Sequence, residues 1–317
     1  MHQIPVAGAI RAVRRKNTWT LFRNQLELQS MILPGLLVII VFEYVPIYGV
    51  TIAFRDYSLA SSIFESPWVG LKHFQAFLRD PMAPIVIQNT LGINLIGLAL
   101  GFPAPIVFAL LLNELRTMRF KRFVQTVSYL PHFMSWVIFG GLIIRLLSPD
   151  TGVVNNVLMR LGLIQVPIFF MGRPDYFWFI AVFTSVAKSF GFGAILYLAA
   201  IAGIDQQLYE AAIVDGAGRF RRMWHITLPS IIGTTVILMI FAVSGILNTG
   251  FEQIWMLQNN LNVSRAETID TYVYKIGLQH LRFSYSTAVG LMRSVIAVIL
   301  VVATNALSRR VTERGLF

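Results

Sequence analysis

Apolar residues run along this chain in six long blocks, at 31–54, 88–113, 123–147, 177–200, 229–250 and 285–307, and the segments between them carry nearly all of the charge. Each block is long enough to cross a bilayer, since about 20 residues of helix span a hydrocarbon core of ~30 Å. The pattern predicts an all-α integral membrane protein with six transmembrane helices. Ahead of the first block, Trp19, Phe22 and Leu26 recur at three- and four-residue intervals between Arg23 and polar neighbours, which predicts an interfacial helix. The expected organisation is an N-terminal cytoplasmic segment at 1–30, a membrane domain at 31–307 and a cytoplasmic tail at 308–317. The polar, basic stretch before the first block argues against a signal peptide.

Composition changes the picture in three ways. Of 317 residues, 56% are apolar and 13% charged, well below the roughly 25% charge of soluble domains, so no ordinary soluble domain is expected beside the membrane part. The absence of cysteine excludes disulfides and thiolate chemistry. The net charge of +11 suggests basic cytoplasmic loops rather than a nucleic-acid partner. With a cytoplasmic N-terminus, the inside segments hold 15 basic and 6 acidic residues and the outside segments 8 of each. The inside is therefore net +9 and the outside neutral, which predicts both termini in the cytoplasm.

One cytoplasmic loop, at 201–228, stands apart. Over 204–230 the chain reads IDQQLYEAAIVDGAGRFRRMWHITLPS. Asp205 supplies an N-cap for a short helix through Val214, and Gly216 and Gly218 follow where a left-handed backbone stops a helix. A second helix is predicted over 219–227 with Phe220, Met223 and Trp224 on one face, and Pro229 suits the first turn of the next span. Ala211, Ala212 and Ala217 allow another backbone to approach, while Glu210 and Arg219, Arg221 and Arg222 put charge at the rim. On residues alone two readings stay open: a plug for a socket on another subunit, or an amphipathic hairpin resting on the membrane.

This loop resembles the signature of permeases in binding-protein-dependent ATP-binding-cassette importers: Glu-Ala-Ala, three residues, Gly, nine residues, Ile, one residue, Leu-Pro. The matching positions are Glu210, Ala211, Ala212, Gly216, Ile226, Leu228 and Pro229, with Asp215 and Ala217 completing an Asp-Gly-Ala form. The resemblance continues through WVGLKHFQAF at 68–77, SYLPHFMSW at 128–136, YLAA at 197–200 and IDTYVYKIGL at 269–278. It points to the polysaccharide and oligosaccharide branch of carbohydrate importers and suggests alginate-type systems. The resemblance implies a type I importer permease of the bacterial inner membrane, a second permease forming a heterodimer, two ATP-binding-cassette subunits and a periplasmic or other external solute-binding protein. The loop is then a coupling helix, with Glu210 and Gly216 serving assembly and transmission rather than catalysis. No cofactor is expected in this chain; ATP and Mg are implied for the partner ATPase subunits, in keeping with the lack of a Gly-x-x-x-x-Gly-Lys-[Ser/Thr] element in the sequence.

Polar residues inside the blocks supply candidates for an oligosaccharide path. A charged lysine at a helix centre costs about 2.5–3.5 kcal/mol on insertion scales, so Lys188 is expected to face a pathway or to pair with a carbonyl or a carboxylate such as Glu43. Asn248 and Glu252 are spaced to share a helix face, with Gln253 beside them, and together with Trp255 and Tyr197 they offer the amide, carboxylate and aromatic groups that meet sugars. Arg293 and Arg145 either snorkel to the interface or meet carboxylates; a path lined by Lys188 and Arg293 would favour uronates. Outside, Leu71, Phe74 and Leu78 form an amphipathic pattern ended by Pro81, and the family docks a binding protein on such loops. The five histidines, His2, His73, His132, His225 and His280, lack metal-ligand spacing. Two other functions compete. A secondary transporter or channel predicts internal repeats, and none is evident; a membrane glycan-processing enzyme needs paired acids, whereas Asp56, Glu65, Asp80, Asp150 and Asp175 are scattered.

Overall fold

The computed structural model describes residues 26, 30–60 and 62–312, without the side chains of 307, 308 and 310–312. Trp19 and Phe22 of the expected interfacial helix lie outside the described residues, as do the last five residues of the tail. The chain divides into two compact units, Met1–Thr51 and Ile52–Phe317. The helix α1, Leu33–Phe54, is long and apolar enough to cross a membrane, and its side chains from Leu33 to Ile47 are exposed. It widens into a π-turn at Ile40–Tyr44. The cause is Pro46, two residues beyond the turn's end: with no N–H it cannot continue the ladder, and Val45 N bonds back five residues to Ile40 O.

In the second unit the described elements are helical, apart from an isolated antiparallel bridge between Arg55 and Trp68. The longer ones are α2 (Lys72–Leu78), α3 (Met82–Asn113), α4 (Met118–Tyr129), α5 (Trp136–Leu146), α6 (Val153–Arg160), α7 (Pro174–Ala202), α8 (Gln206–Val214), α9 (Arg219–Ser230), α10 (Ile232–Ser244), α11 (Phe251–Leu257), α12 (Ile269–Tyr274) and α13 (Phe283–Thr312). Four of the six expected spans, α1, α3, α7 and the apolar part of α13, are helices without a sharp bend.

The other two are bent, contrary to the continuous spans expected at 123–147 and 229–250. The third turns by 104° between Met118–Phe133 and Trp136–Leu146. Pro131 removes a donor, Met134 and Ser135 are extended, and Ser135 caps the new helix by accepting from Ile138 N at 3.3 Å. The fifth turns by 62° at Ile231 and its helix stops at Ser244. A helix of 13 residues covers only about 20 Å, and the chain leaves it as an irregular segment at 245–250. Non-helical backbone at membrane depth is tolerated only inside protein or against a cavity.

The 29-residue helix α7 is the hub of this unit. Phe177, Ala181 and Val182 pack with Ile93 of α3 and with Ile254 and Leu257 of α11, while Ala194, Tyr197 and Ile201 pack with Ala109 and Leu110 farther along α3. At the opposite end from the 201–228 loop, buried polar side chains tie loops to helices. Asn89 donates to Ser264 O (3.1 Å) and Glu267 O (2.9 Å), Thr90 Oγ1 accepts from Ile269 N (2.9 Å), and Trp178 Nε1 donates to Arg265 O (2.9 Å). The face of α2 differs from the sequence pattern: Leu71 and Leu78 are exposed, and Phe77 is the fully buried residue, against the rings of Tyr272 and Tyr285 at 6.2 and 6.4 Å. Asp80 closes this knot by accepting from Tyr272 Oη (2.7 Å), Tyr285 Oη (2.9 Å) and Met82 N (2.9 Å) at the start of α3. Burial works against the Asp80 carboxylate, yet these bonds and nearby Arg282 outweigh it and hold its pKa below the usual value. Burial, aided by the bond to Asp80, pushes Tyr272 up to about 12.

Candidate functional site

Two regions of the Ile52–Phe317 unit hold the residues singled out by the sequence. The first is the hairpin of α8 and α9. Asp205 caps α8 as expected, accepting from Gln207 N at 2.9 Å. Of the two glycines expected to be left-handed, Gly216 alone is so, at φ +75°; Gly218 is extended and stands as the N-cap of α9. A second helix runs from Arg219 as expected but passes through a π-turn at Met223–Thr227 and continues to Ser230. Pro229 again lies two residues beyond the π-turn's end, and Leu228 N bonds to Met223 O.

The hairpin has two sides. Met223, Ile226, Leu228 and Tyr209 pack on Ile201, Ile204 and Ile231, and the Tyr209 and Thr227 hydroxyls meet at 2.8 Å. Glu210, Ala211, Asp215 and Gly216 are exposed, and Ala212 and Ala217 are half-buried. Large apolar groups are exposed with them: Val214 at 88%, Phe220 at 80% and Trp224 at 66%. The predicted common face of Phe220, Met223 and Trp224 is thus split, with Met223 turned inward.

The second region is a pair of adjoining cavities of about 370 and 460 Å³ that share Asn94, Gly97, Val182, Ser185 and Gly245 as walls. The first reaches Ser189 and Tyr197; the second reaches Trp136, Asn248, Thr249 and Gln253. Its walls come from the middles of α3 and α7 and from the two breaks, at 134–136 and 245–250. Amides, hydroxyls and an indole beside aliphatic walls suit a ligand rich in hydroxyl groups.

The candidate path residues therefore separate. Tyr197, Asn248 and Gln253 line the cavities. Gln253 is also tethered, its Nε2 donating to Ala181 O and to Thr184 Oγ1 at 3.0 Å. Asn248 and Glu252 do not share a helix: Asn248 sits in the break, accepting from Gly250 N at 3.2 Å, and Glu252 begins α11. Trp255 stacks on Phe251 at 5.5 Å and meets Tyr274 at 4.9 Å. Lys188 donates to His132 O at 2.8 Å, so the carbonyl of the two expected partner types is what it meets; the carboxylate within Coulombic reach is Glu252. Arg293 forms an ion pair with Asp270, which also accepts from Thr249 Oγ1 at 3.2 Å. Asn94, Ser185 and Trp136 were not among the sequence candidates; only the third-span break, which Pro131 foreshadows, brings Trp136 to a cavity wall.

Comparison with known proteins agrees with this architecture. A family model described as "Binding-protein-dependent transport system inner membrane component" matches residues 93–313. Protein LplB of Bacillus subtilis (strain 168) is 45% identical over 92% of this chain and 91% of its own length. YteP of the same organism, described as a polygalacturonan/rhamnogalacturonan transport system permease protein, is 43% identical over 99% of this chain and 98% of its own. A chain in the crystal structure of a bacterial alginate ABC transporter, in complex with alginate pentasaccharide-bound periplasmic protein, superposes with a TM-score of 0.86 at 37% identity, covering 95% of this chain and 100% of that one. With a family model covering more than half its length and near full-length relatives well above 30% identity, the chain belongs to the inner-membrane components of binding-protein-dependent transport systems, and it is a transport subunit.

Proposed function

We propose that this chain is one permease subunit of an ATP-driven importer of oligosaccharides from acidic polysaccharides. It pairs with a second permease and two ATP-binding-cassette subunits and receives cargo from an external solute-binding protein. The observation that carries the reading is the two-sided hairpin: its inner side is packed into the membrane helices while Glu210, Ala211, Gly216, Phe220 and Trp224 stand exposed. An exposed apolar patch rimmed by charge is what a subunit interface requires. Glu210, Ala211, Ala212, Asp215, Gly216 and Ala217 form the contact with the nucleotide-binding partner, and Ile226, Leu228 and Pro229 anchor it.

Anchoring supplies the transmission. The cluster that receives Ile226 and Leu228 also contains Ala109 and Leu110 of α3 and Ala194 and Tyr197 of α7, and the same two helices wall the cavities. Movement of the partner socket thus turns α3 and α7 as a body about the cargo, a rigid-body route to alternating access. ATP and Mg are held by the partner subunits. The basic inside segments support cytoplasmic termini and a cytoplasmic hairpin. The similarity to a polygalacturonan/rhamnogalacturonan permease and to an importer of the acidic polysaccharide alginate supports acidic cargo, while the walls of this chain's cavities are uncharged.

The test is transport in proteoliposomes holding the complete complex and its binding protein. Glu210→Ala and Gly216→Pro should lower transport and cargo-stimulated ATP hydrolysis at least about tenfold, with cargo capture by the external protein unchanged; proline cannot adopt the positive φ of Gly216. Transport at the wild-type rate in both variants would refute the assignment.

A further inference from the structure

At the break in the third span the Pro131 carbonyl still accepts from Met134 N at 3.2 Å, whereas the His132 carbonyl takes its bond from a side chain of α7, and such groups must be satisfied inside a membrane protein. Helix α7 meets the break with three residues at helical i, i+3 and i+4 spacing. Lys188 donates to His132 O at 2.8 Å. Gly191 lies so close to Ser128 that a Cβ there would come within 2.2 Å of the Ser128 carbonyl oxygen, so the two backbones meet directly. Phe192 stacks on the His132 ring at 3.9 Å with the planes parallel to within 1°. The Lys188 ammonium also stands 5.3 Å from the centre of the Trp136 ring. One cation therefore holds both the carbonyl where the first helix ends and the indole where the second begins.

We propose that Trp136 is a sugar-stacking residue of the larger cavity and that Lys188 is its positioning residue, fixing the broken span so that the indole faces the cargo; this rests on the oligosaccharide-permease reading above. Trp136 shares the cavity wall with Asn94, Ser185, Asn248 and Gln253. An indole face beside amides and hydroxyls matches a pyranose ring, which has an apolar face and a hydroxylated edge. Lys188 is only 8% exposed, and its ammonium already meets the His132 carbonyl and the Trp136 indole. With that carbonyl, the indole and the Glu252 carboxylate around its charge, it acts through Trp136 rather than by pairing with uronates.

The test uses the complete importer in proteoliposomes with its binding protein, and trigalacturonate and arabinotriose as labelled probes. Trp136→Ala should raise the transport KM about tenfold and Trp136→Phe less than about threefold. Lys188→Met should raise KM by a factor like that of Trp136→Ala, Lys188→Arg should restore most of it, and the double variant Lys188→Met with Trp136→Ala should be no worse than Trp136→Ala alone. A wild-type KM in Trp136→Ala overturns the proposal, as does a double variant whose effect is the product of the two single ones. Import of neither probe by the wild-type complex sinks the oligosaccharide reading itself, whereas normal wild-type import with an unmoved Trp136→Ala sinks this inference alone.

Discussion

The two ends of the Ile52–Phe317 unit solve opposite problems. Around Asp80, Tyr272 and Tyr285 the polar groups answer one another: one carboxylate takes two phenols and a helix N-terminus, and Phe77 packs against both rings. The hairpin of α8 and α9 is finished on one side only, with Phe220 and Trp224 exposed above a packed base. Internal satisfaction makes the first region a source of stability. External incompleteness makes the second a contact surface whose energy appears only when a partner covers it.

Substitutions should separate the two. Asp80→Ala leaves one of two buried hydroxyls, which meet each other at 3.1 Å, without an acceptor and removes the acceptor of Met82 N, and the expected loss is about 3 kcal/mol in unfolding stability, measured by thermal denaturation of the purified chain in detergent. pH reports on the same knot. Because the carboxyl of Asp80 is held low, its contribution is present above a carboxylate's ordinary pKa and is lost as pH falls through the depressed value. Tyr272 is raised to about 12, so its contribution is complete below pH ~10 and disappears between there and about 12. A stability profile that is flat across both windows would argue that the knot carries no energy. Trp224→Ala should act in the opposite way, weakening association with the nucleotide-binding subunit by about 2 kcal/mol, roughly thirtyfold, with no fall in the chain's own melting temperature. If Trp224→Ala instead lowers melting and leaves assembly intact, the contrast between the regions fails. At the small end, Lys72→Met removes an ion pair to Asp56 at 2.7 Å in which both side chains are about half exposed. Its bond to Lys72, opposed in part by desolvation, lowers the Asp56 pKa, yet the expected change is less than about 0.5 kcal/mol in the same melt.

Much of this was legible before any coordinates. Membrane class follows from block length, because a hydrocarbon core demands about 20 apolar residues per helix wherever the neighbours lie. Much of the hairpin was equally legible: Asp205 capping and the left-handed Gly216 are local backbone chemistry, set by residues within a few positions of one another, whereas Pro229, expected in the first turn of the next span, lies inside α9 before the break at Ile231. The same locality explains where reading stopped. Pro131 signals a disturbance, but a 104° turn also requires a partner for the His132 carbonyl, and Lys188, 56 residues away, provides it. Asn248 and Glu252 look like neighbours on a helix until the chain breaks at Gly245.

What the sequence determined by itself is therefore the set of interactions that span a turn or a bilayer thickness: six apolar blocks, the charge asymmetry of the loops and the hairpin with its motif. Tertiary structure alone decided which face of α2 is buried, which breaks become cavity walls, and that Arg293 answers Asp270. The reason is physical. Local preferences depend on residue spacing, whereas the partner of a buried charge or an orphaned carbonyl is chosen by packing among segments far apart in the chain, and a buried group left without one would cost several kcal/mol.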